Sequence, residues 1–386
     1  MNKLAQVAAL SMASFMIFST MTFGATNITA KIDGSPVNFD VSPVVEKGTT
    51  LVPIKFIAQG LGGIVTTNGN NIKIESADKK IELTIGSKSA KVNGEVKTLE
   101  VAAQTVKGSV LVPLRFISEA FGAKVALNKQ TNNIDITYFS DMKGTIKVGG
   151  STTVQPIAQQ VADVLNKKNT GLSISVAGGG SGAGIKGASD GTFNVGCSSR
   201  ELKDTEKGLN EVVIGRDAIA VIVNKNNPLK TLTKQQIADV FSGKIKNWKE
   251  IGGKDAAIFI QTRETGSGTL TAFVELAITP IVKTGIIPSY ATPHNSTQLL
   301  LQAVAKSDNA IGFISMGYLD KTVHGVNVEG VAATQENALS GKYAYVRPLM
   351  LVTKGSPTGV TAKYINYIRS TKGQQILVSE DYLPIN

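Results

Sequence analysis

One stretch of the sequence occurs twice. Leu51-Val52-Pro53-Ile54-Lys55-Phe56-Ile57 returns sixty residues later as Leu111-Val112-Pro113-Leu114-Arg115-Phe116-Ile117, and its surroundings return with it. Upstream, Ile32-Asp33-Gly34 matches Val92-Asn93-Gly94, a hairpin-turn signal between strand-like runs. Downstream, Asn71-Ile72-Lys73-Ile74 is echoed by Asn133-Ile134-Asp135-Ile136, which alternate as a half-buried strand does. The proline of each copy suits the first turn of a short helix whose Phe, Ile and Leu/Phe face a small sheet. The repeat therefore constrains the segment from about Ala25 to Tyr138 to a module of two α+β units that pair with each other.

The doubled Leu-Val-Pro-x-[Lys/Arg]-Phe-Ile motif resembles the stalk-like module named after the N-terminal domain of copper amine oxidases, over nearly all of residues 30–138. The resemblance implies a spacer or a contact with a cell-wall polymer, with an inert folding unit as the alternative. Copper does not come with it, because no His, Cys or Met lies between Ala25 and Tyr138. Ahead of the module, Met1-Asn2-Lys3 and the apolar run Leu4 to Phe18 read as a signal peptide over residues 1–24, with cleavage near Gly24 or Ala25. That run is shorter than the roughly 20 apolar residues of a membrane span. No cysteine follows it, so the expectation is export to the cell surface or beyond without a lipoprotein anchor.

Near Ser140-Asp141-Met142-Lys143-Gly144 the pattern changes, and the domain boundary is placed there, with 25–140 on one side and 141–386 on the other. Short apolar runs now alternate with amphipathic segments, as in α/β proteins. Thr145 to Val148, Leu172 to Val176, Phe193 to Cys197 and Ala256 to Ile260 read as strands. The loops after them are rich in glycine and hydroxyls: Gly149-Gly150-Ser151-Thr152-Thr153, Gly178-Gly179-Gly180-Ser181-Gly182, Ser198-Ser199-Arg200, and Arg263-Glu264-Thr265-Gly266-Ser267-Gly268-Thr269. A helix is expected from Ile185 after the second of these.

Glycine admits close backbone approach, hydroxyls donate hydrogen bonds, and a following helix presents free N–H groups at its positive end. Together these make an anion cradle, to which Arg263 adds a planar fork for two oxygens. No loop matches the phosphate-loop or dinucleotide fingerprints.

Composition narrows the chemistry further. The chain has 386 residues, 39 of them glycine, but only Cys197 as cysteine and only His294 and His324 as histidine. A disulfide, a Cys-based metal site or a His-rich centre is therefore excluded, and no cofactor or metal is expected. Cys197 reads as a small buried apolar residue, Trp248 as part of a core, and the two histidines as exposed loop residues. A net charge of +11 favours anionic surroundings. Lys244, Lys246, Lys249 and Lys254 lack the interleaved aromatics of a nucleic-acid site, so no nucleic-acid partner is expected.

Residues 144–386 resemble the phosphate-binding proteins of bacterial phosphate ABC importers. The resemblance is carried by Gly150 to Pro156, Gly179 to Gly182, Gly196 to Arg200 and Arg263 to Thr269, supported by Phe241 to Trp248, Ala310 to Phe313 and Arg347-Pro348-Leu349. It implies an α/β two-lobed periplasmic-binding-protein (type II) fold behind the small α+β repeat module. Lobe one would be about 144–217 plus 354–386 and lobe two about 225–345, joined at Ala218 to Val223 and Leu349 to Val352. Inorganic phosphate would be held without catalysis by Thr152, Thr153, Ser181, Ser199, Arg263, Ser267, Gly268 and Thr269, then passed to a membrane permease.

The family's usual phosphate-proton acceptor, an Asp in the third loop, is replaced here by Ser199. Asp217 is the candidate substitute, against the alternative of a surface carboxylate beside Arg216. Ser151 is a further secondary candidate. Arg200 is either a second cation near the anion or a rim charge, and Glu264 a brace for Arg263. The alternatives are another tetrahedral oxyanion, a surface sensor or adhesion protein anchored through the stalk, and a phosphomonoester hydrolase using a serine nucleophile. The last would need an activating base or metal that the sequence does not supply.

Overall fold

A computed structural model describes residues 28–128, 130–283 and 285–385, and the signal peptide expected over 1–24 lies outside them. In the N-terminal module the two copies of the repeat exchange hairpins. Strand Thr29–Ile32 turns through Asp33 and Gly34, both at positive φ, into Ser35–Pro36, as a tight mirror-image turn requires. It pairs in parallel with Asn133–Thr137 of copy two. The equivalent hairpin of copy two, Ser89–Val92 with Glu95–Thr98, joins instead a five-stranded sheet with Ile64–Asn68, Asn71–Glu75 and Lys80–Thr84.

In a separate sheet the two Leu-Val-Pro strands, Thr49–Pro53 and Ser109–Pro113, run antiparallel with Val52 opposite Val112. Each leads into a short helix, α1 (Ile54–Gly60) or α2 (Leu114–Ala120). The prolines stand one residue earlier than the first turn, as N-caps that also end the strand.

The module is not separated from the rest by open solvent. Ile57, Leu61, Ile117, Phe121 and Tyr138 belong to the same buried cluster as Ile146, Val148, Ile157, Ile365 and Ile368 of the second half. One side chain ties the parts together. Asn366 is completely buried. It accepts from the Ala77 N–H at 2.8 Å and donates to Asp78 Oδ1 at 3.1 Å and to the Tyr138 hydroxyl at 2.9 Å.

The second half opens with strand Gly144–Gly150, which leads to α3 (Gln155–Lys168) with Pro156 in its first turn. Strand Leu172–Ala177 leads to α4 (Gly180–Asp190), and Val195–Ser198 completes a parallel set. Helix α4 starts inside the glycine run and not at Ile185. Gly179 and Gly180, at φ 130° and 83°, turn the chain directly into the helix, a path open to glycine and strained for other residues.

The long strand Asn210–Asn224 then passes from one lobe to the other. Its first part pairs with Val346–Thr353, and its second part with Ala310–Ser315 on one edge and Val323–Val328 on the other. The second lobe adds α5 (Lys234–Phe241), strand Phe259–Arg263 and α6 (Gly268–Phe273), which continues into a π-helical turn at Val274–Ile278. Strand Thr292–His294, α7 (Thr297–Ala305) and α8 (Gln335–Leu339) follow. The strand expected at 256–260 lies at 259–263, because its parallel pairing with Ala310 begins at Phe259.

Phe241, Phe273 and Phe313 fill the second lobe, the last two stacked at 4.1 Å, and Trp248 is buried beside them with Nε1 on the Asn309 carbonyl. Helices α9 (Gly359–Arg369) and α10 (Thr371–Ser379) bring the chain back to the first lobe.

Candidate functional site

The loops singled out in the sequence follow the carboxyl ends of strands in the two lobes, where open α/β sheets bind ligands. The structure brings most of them into one buried cluster. Thr152 and Thr153 follow strand Gly144–Gly150, Ser181 lies in the first turn of α4, Ser199 follows Val195–Ser198, and Ser267, Gly268 and Thr269 open α6. Thr152 is 7% exposed, and each of Thr153, Ser181, Ser199, Ser267 and Thr269 is at most 1% exposed.

The cluster closes across the lobes. Thr153 Oγ1 lies 3.1 Å from Thr269 Oγ1 and Thr152 Oγ1 3.3 Å from Thr297 Oγ1. The Gly182 N–H donates to the Gly266 carbonyl at 2.9 Å, and the Tyr318 hydroxyl to the Thr152 carbonyl at 2.8 Å. On the first-lobe side Ser151 Oγ donates to Ser199 Oγ at 3.0 Å, and Ser181 Oγ lies 3.4 Å from Ser199 Oγ. Gly268 packs so closely on Ser181 and Ser199 that a Cβ there would collide with both hydroxyls. Ser267 has a narrower job, as the N-cap of α6 accepting from the Leu270 N–H at 3.3 Å.

Two guanidinium groups enter this cluster from opposite sides. Arg263, 3% exposed, donates from Nη1 to Thr297 Oγ1 at 3.0 Å and from Nη2 to Thr152 Oγ1 at 3.2 Å. Glu264 does brace it, accepting from Nε at 2.9 Å and Nη2 at 3.0 Å. Burial lowers the affinity of Arg263 for its proton, and Glu264 works against that. Arg347, 2% exposed, donates from Nη1 to Ser199 Oγ at 3.3 Å and from Nη2 to Thr153 Oγ1 at 3.2 Å. Two buried cations and a ring of hydroxyls, all donors, make a place for a small compact anion.

Several expectations need correction. Asp217 is neither a surface carboxylate nor free to accept from a ligand. It is completely buried, takes Arg347 Nε and Nη2 on Oδ2, and takes the Ser315 hydroxyl on Oδ1 at 2.9 Å. Burial raises its pKa, and the Arg347 charge opposes the shift. Arg200 is neither a rim charge nor a cation in the cluster, since it is 4% exposed and gripped by both oxygens of Glu206 at 2.7 Å.

The histidines sit in strands, not in exposed loops. His294 Nε2 meets Gln261 Oε1 at 2.8 Å, and His324 Nε2 the Leu229 carbonyl at 2.7 Å. Cys197 is buried, and burial pushes its thiol up to about 12. Arg347 and Thr297 were missed as site residues. The available signals were an arginine beside the buried run Leu349 to Val352, and a Ser-Thr pair opening a helix directly after a strand. Among the described residues no group of three or more His, Cys, Asp or Glu is placed to hold a metal ion.

Two lobes, linked by paired strands and closed over a buried cluster of donors, define a two-lobed solute-binding protein. A family model described as the PBP superfamily domain matches residues 140–372, and one described as the copper amine oxidase N-terminal domain matches residues 31–136. The chain belongs to the PBP superfamily, as a PstS-like member carrying a copper-amine-oxidase-N-terminal-like module.

The phosphate-binding protein PstS of Bacillus subtilis is 28% identical over 265 residues, which cover 67% of this chain and 86% of that protein. A crystal structure of a phosphate ABC transporter substrate-binding protein with bound phosphate from Clostridium perfringens is 39% identical. It covers 63% of this chain and 100% of that one, with a TM-score of 0.60. An ABC-type phosphate transport receptor from Vibrio cholerae is 30% identical, covering 62% of this chain and 99% of its own, with a TM-score of 0.53.

Proposed function

We propose that this protein binds inorganic phosphate between its lobes and delivers it to the membrane permease of an ABC importer. The observation that carries the reading is the convergence of Arg263 and Arg347 on one buried set of hydroxyls drawn from both lobes. Thr152, Thr153, Ser181, Ser199, Ser267, Gly268 and Thr269 supply the remaining donors, with Ser151 orienting Ser199. Lobe one takes in about 144–217 plus 354–386 and lobe two about 225–345. Closure of one lobe on the other presents the loaded form to the permease.

The role is binding and not catalysis. A serine nucleophile needs a base within hydrogen-bond reach, and the nearby candidates are engaged elsewhere, Asp217 with Arg347 and His294 with Gln261. The relatives named for phosphate binding and phosphate transport support the same reading. Residues 1–24 export the chain, and the module of residues 25–140 contacts a cell-wall polymer that keeps the receptor near its permease.

Titration calorimetry on ligand-stripped protein tests the central claim. One phosphate per chain is expected, and Arg263→Ala should weaken binding by at least about 30-fold, the loss that follows truncation of one partner of a buried charged contact. Absence of heat from phosphate in the stripped wild-type protein would refute it.

A further inference from the structure

Arg200, Arg263, Arg347 and Arg369 are buried at 4%, 3%, 2% and 7% exposure. The first three are ion-paired, with Glu206, Glu264 and Asp217. Arg369, in the last turn of α9, is not. No described carboxylate lies within ion-pair distance of it, and its Nε has no partner. Nη2 reaches only the Glu75 carbonyl, at 3.4 Å. The carboxylates on that side are committed, Glu75 to Lys73, and Asp78 to Lys79 and Asn366. Burial lowers the Arg369 pKa to about 10, so the group still carries its charge at neutral pH. Glu75, whose carboxylate stands beyond ion-pair distance, offsets that burial only in part, and a buried charge so weakly paired is costly in a folded protein.

Arg369 lies on the wall of a groove of about 940 Å³ between the repeat module and lobe one. Glu75, Asp78 and Lys79 line its module side, and Asn210, Ser356 and Thr358 its lobe side. Glu211 stands on the same wall but is exposed and pairs with no described cation. None of these residues belongs to the phosphate cleft.

We propose that this groove is a second anion site, in which the Arg369 guanidinium takes an oxyanion group of the phosphate or carboxylate type. The planar fork suits two oxygens of one such group, and the bound charge adds a counter-ion in direct contact. The ligand would thereby touch module and lobe together. The oxyanion can arrive as a free ion or as one unit of a polyanionic chain.

The test uses the full chain in the Arg263→Ala background, so that it does not depend on the cleft. The Arg Nε–H resonance assigned to Arg369, identified by its loss in Arg369→Lys, is followed during titration with inorganic phosphate, acetate and polyglycerol phosphate. A saturable shift with any of the three supports the site. Affinity for the polymer at least about tenfold above that for phosphate identifies a chain as the source, and equal affinity identifies the free ion. An unmoved resonance in all three titrations overturns the proposal, as does binding of the same strength in Arg369→Gln. Failure of phosphate to bind the wild-type cleft would leave this result untouched.

Discussion

Asp217 and Arg347 face each other across adjacent strands, 130 residues apart in sequence and both out of solvent. Asp217 Oδ2 accepts from Arg347 Nε at 3.0 Å and Nη2 at 2.7 Å, which aims Nη1 at Ser199. The pair lies where the two lobes share strands, so the second arginine of the cleft is held by the same strands that link the lobes. Asp217→Asn would leave Arg347 buried without its counter-charge. A loss of about 3–5 kcal/mol is expected in urea unfolding, and most of it should return in the double variant Asp217→Asn with Arg347→Met.

With Asp217 and Glu264 both occupied by arginines, the cleft offers, among the described residues, no free carboxylate to accept the proton of phosphate. A carboxylate would repel sulfate, whereas a hydroxyl can donate to it. Sulfate should therefore compete with phosphate in the wild-type protein. Ser199→Asp should weaken sulfate by at least about tenfold more than it weakens phosphate, as read by competition calorimetry near neutral pH.

Gly268 has no room for a side chain, since an added Cβ would lie 2.7 Å from Ser199 Oγ and closer still to Ser181. Those hydroxyls are on the opposite lobe, so Gly268→Ala should hold the lobes apart without disturbing either core. Phosphate affinity is expected to fall by about tenfold or more, while the thermal midpoint of the ligand-free protein stays within a few degrees.

His294 is held below its ordinary value of 6.5 by burial and by the Arg263 charge. Because its folded pKa lies below the unfolded one, the stability it contributes is present above pH 6.5. That stability is lost as pH falls through the folded value. Urea midpoints at about pH 8 and about pH 5 should diverge in the wild type and converge in His294→Gln.

Asn366, itself completely buried, satisfies the Ala77 N–H, Asp78 and the Tyr138 hydroxyl. Asn366→Ala should cost about 2–3 kcal/mol, the range for leaving buried polar groups unpaired. Module and lobe one should still melt in one transition, because they share a core. Two separate calorimetric transitions in the wild type would contradict this.

The legible parts of the site were those coded locally. Arg263 stands beside Gly266 and Gly268 in a run whose composition already describes a ligand loop, and the residues needed to read it are within one helical turn. Arg347 has no such neighbourhood. Flanked by Val346 and Pro348, it reads as a strand-end charge until pairing sets it opposite Asp217. The same holds for Arg200, whose burial depends on Glu206 folding back over it.

In the fold, the repeat announced the module's hairpins and Leu-Val-Pro strands. The exchange of hairpins between copies was hidden, because either partner strand offers the same alternation. The start of α4 was misplaced for a related reason: a glycine run argues for a loop by propensity, and packing against the other lobe turns it into a helix.

The bond between Ala77 and Asn366 spans 289 positions of sequence. A chain that emerges from its amino end first presents the repeat module long before α9 exists to cover it. The module's apolar underside must therefore wait, through synthesis, for helices at the far end of the chain. Lobe two is completed in the interval as an insertion within an unfinished circle.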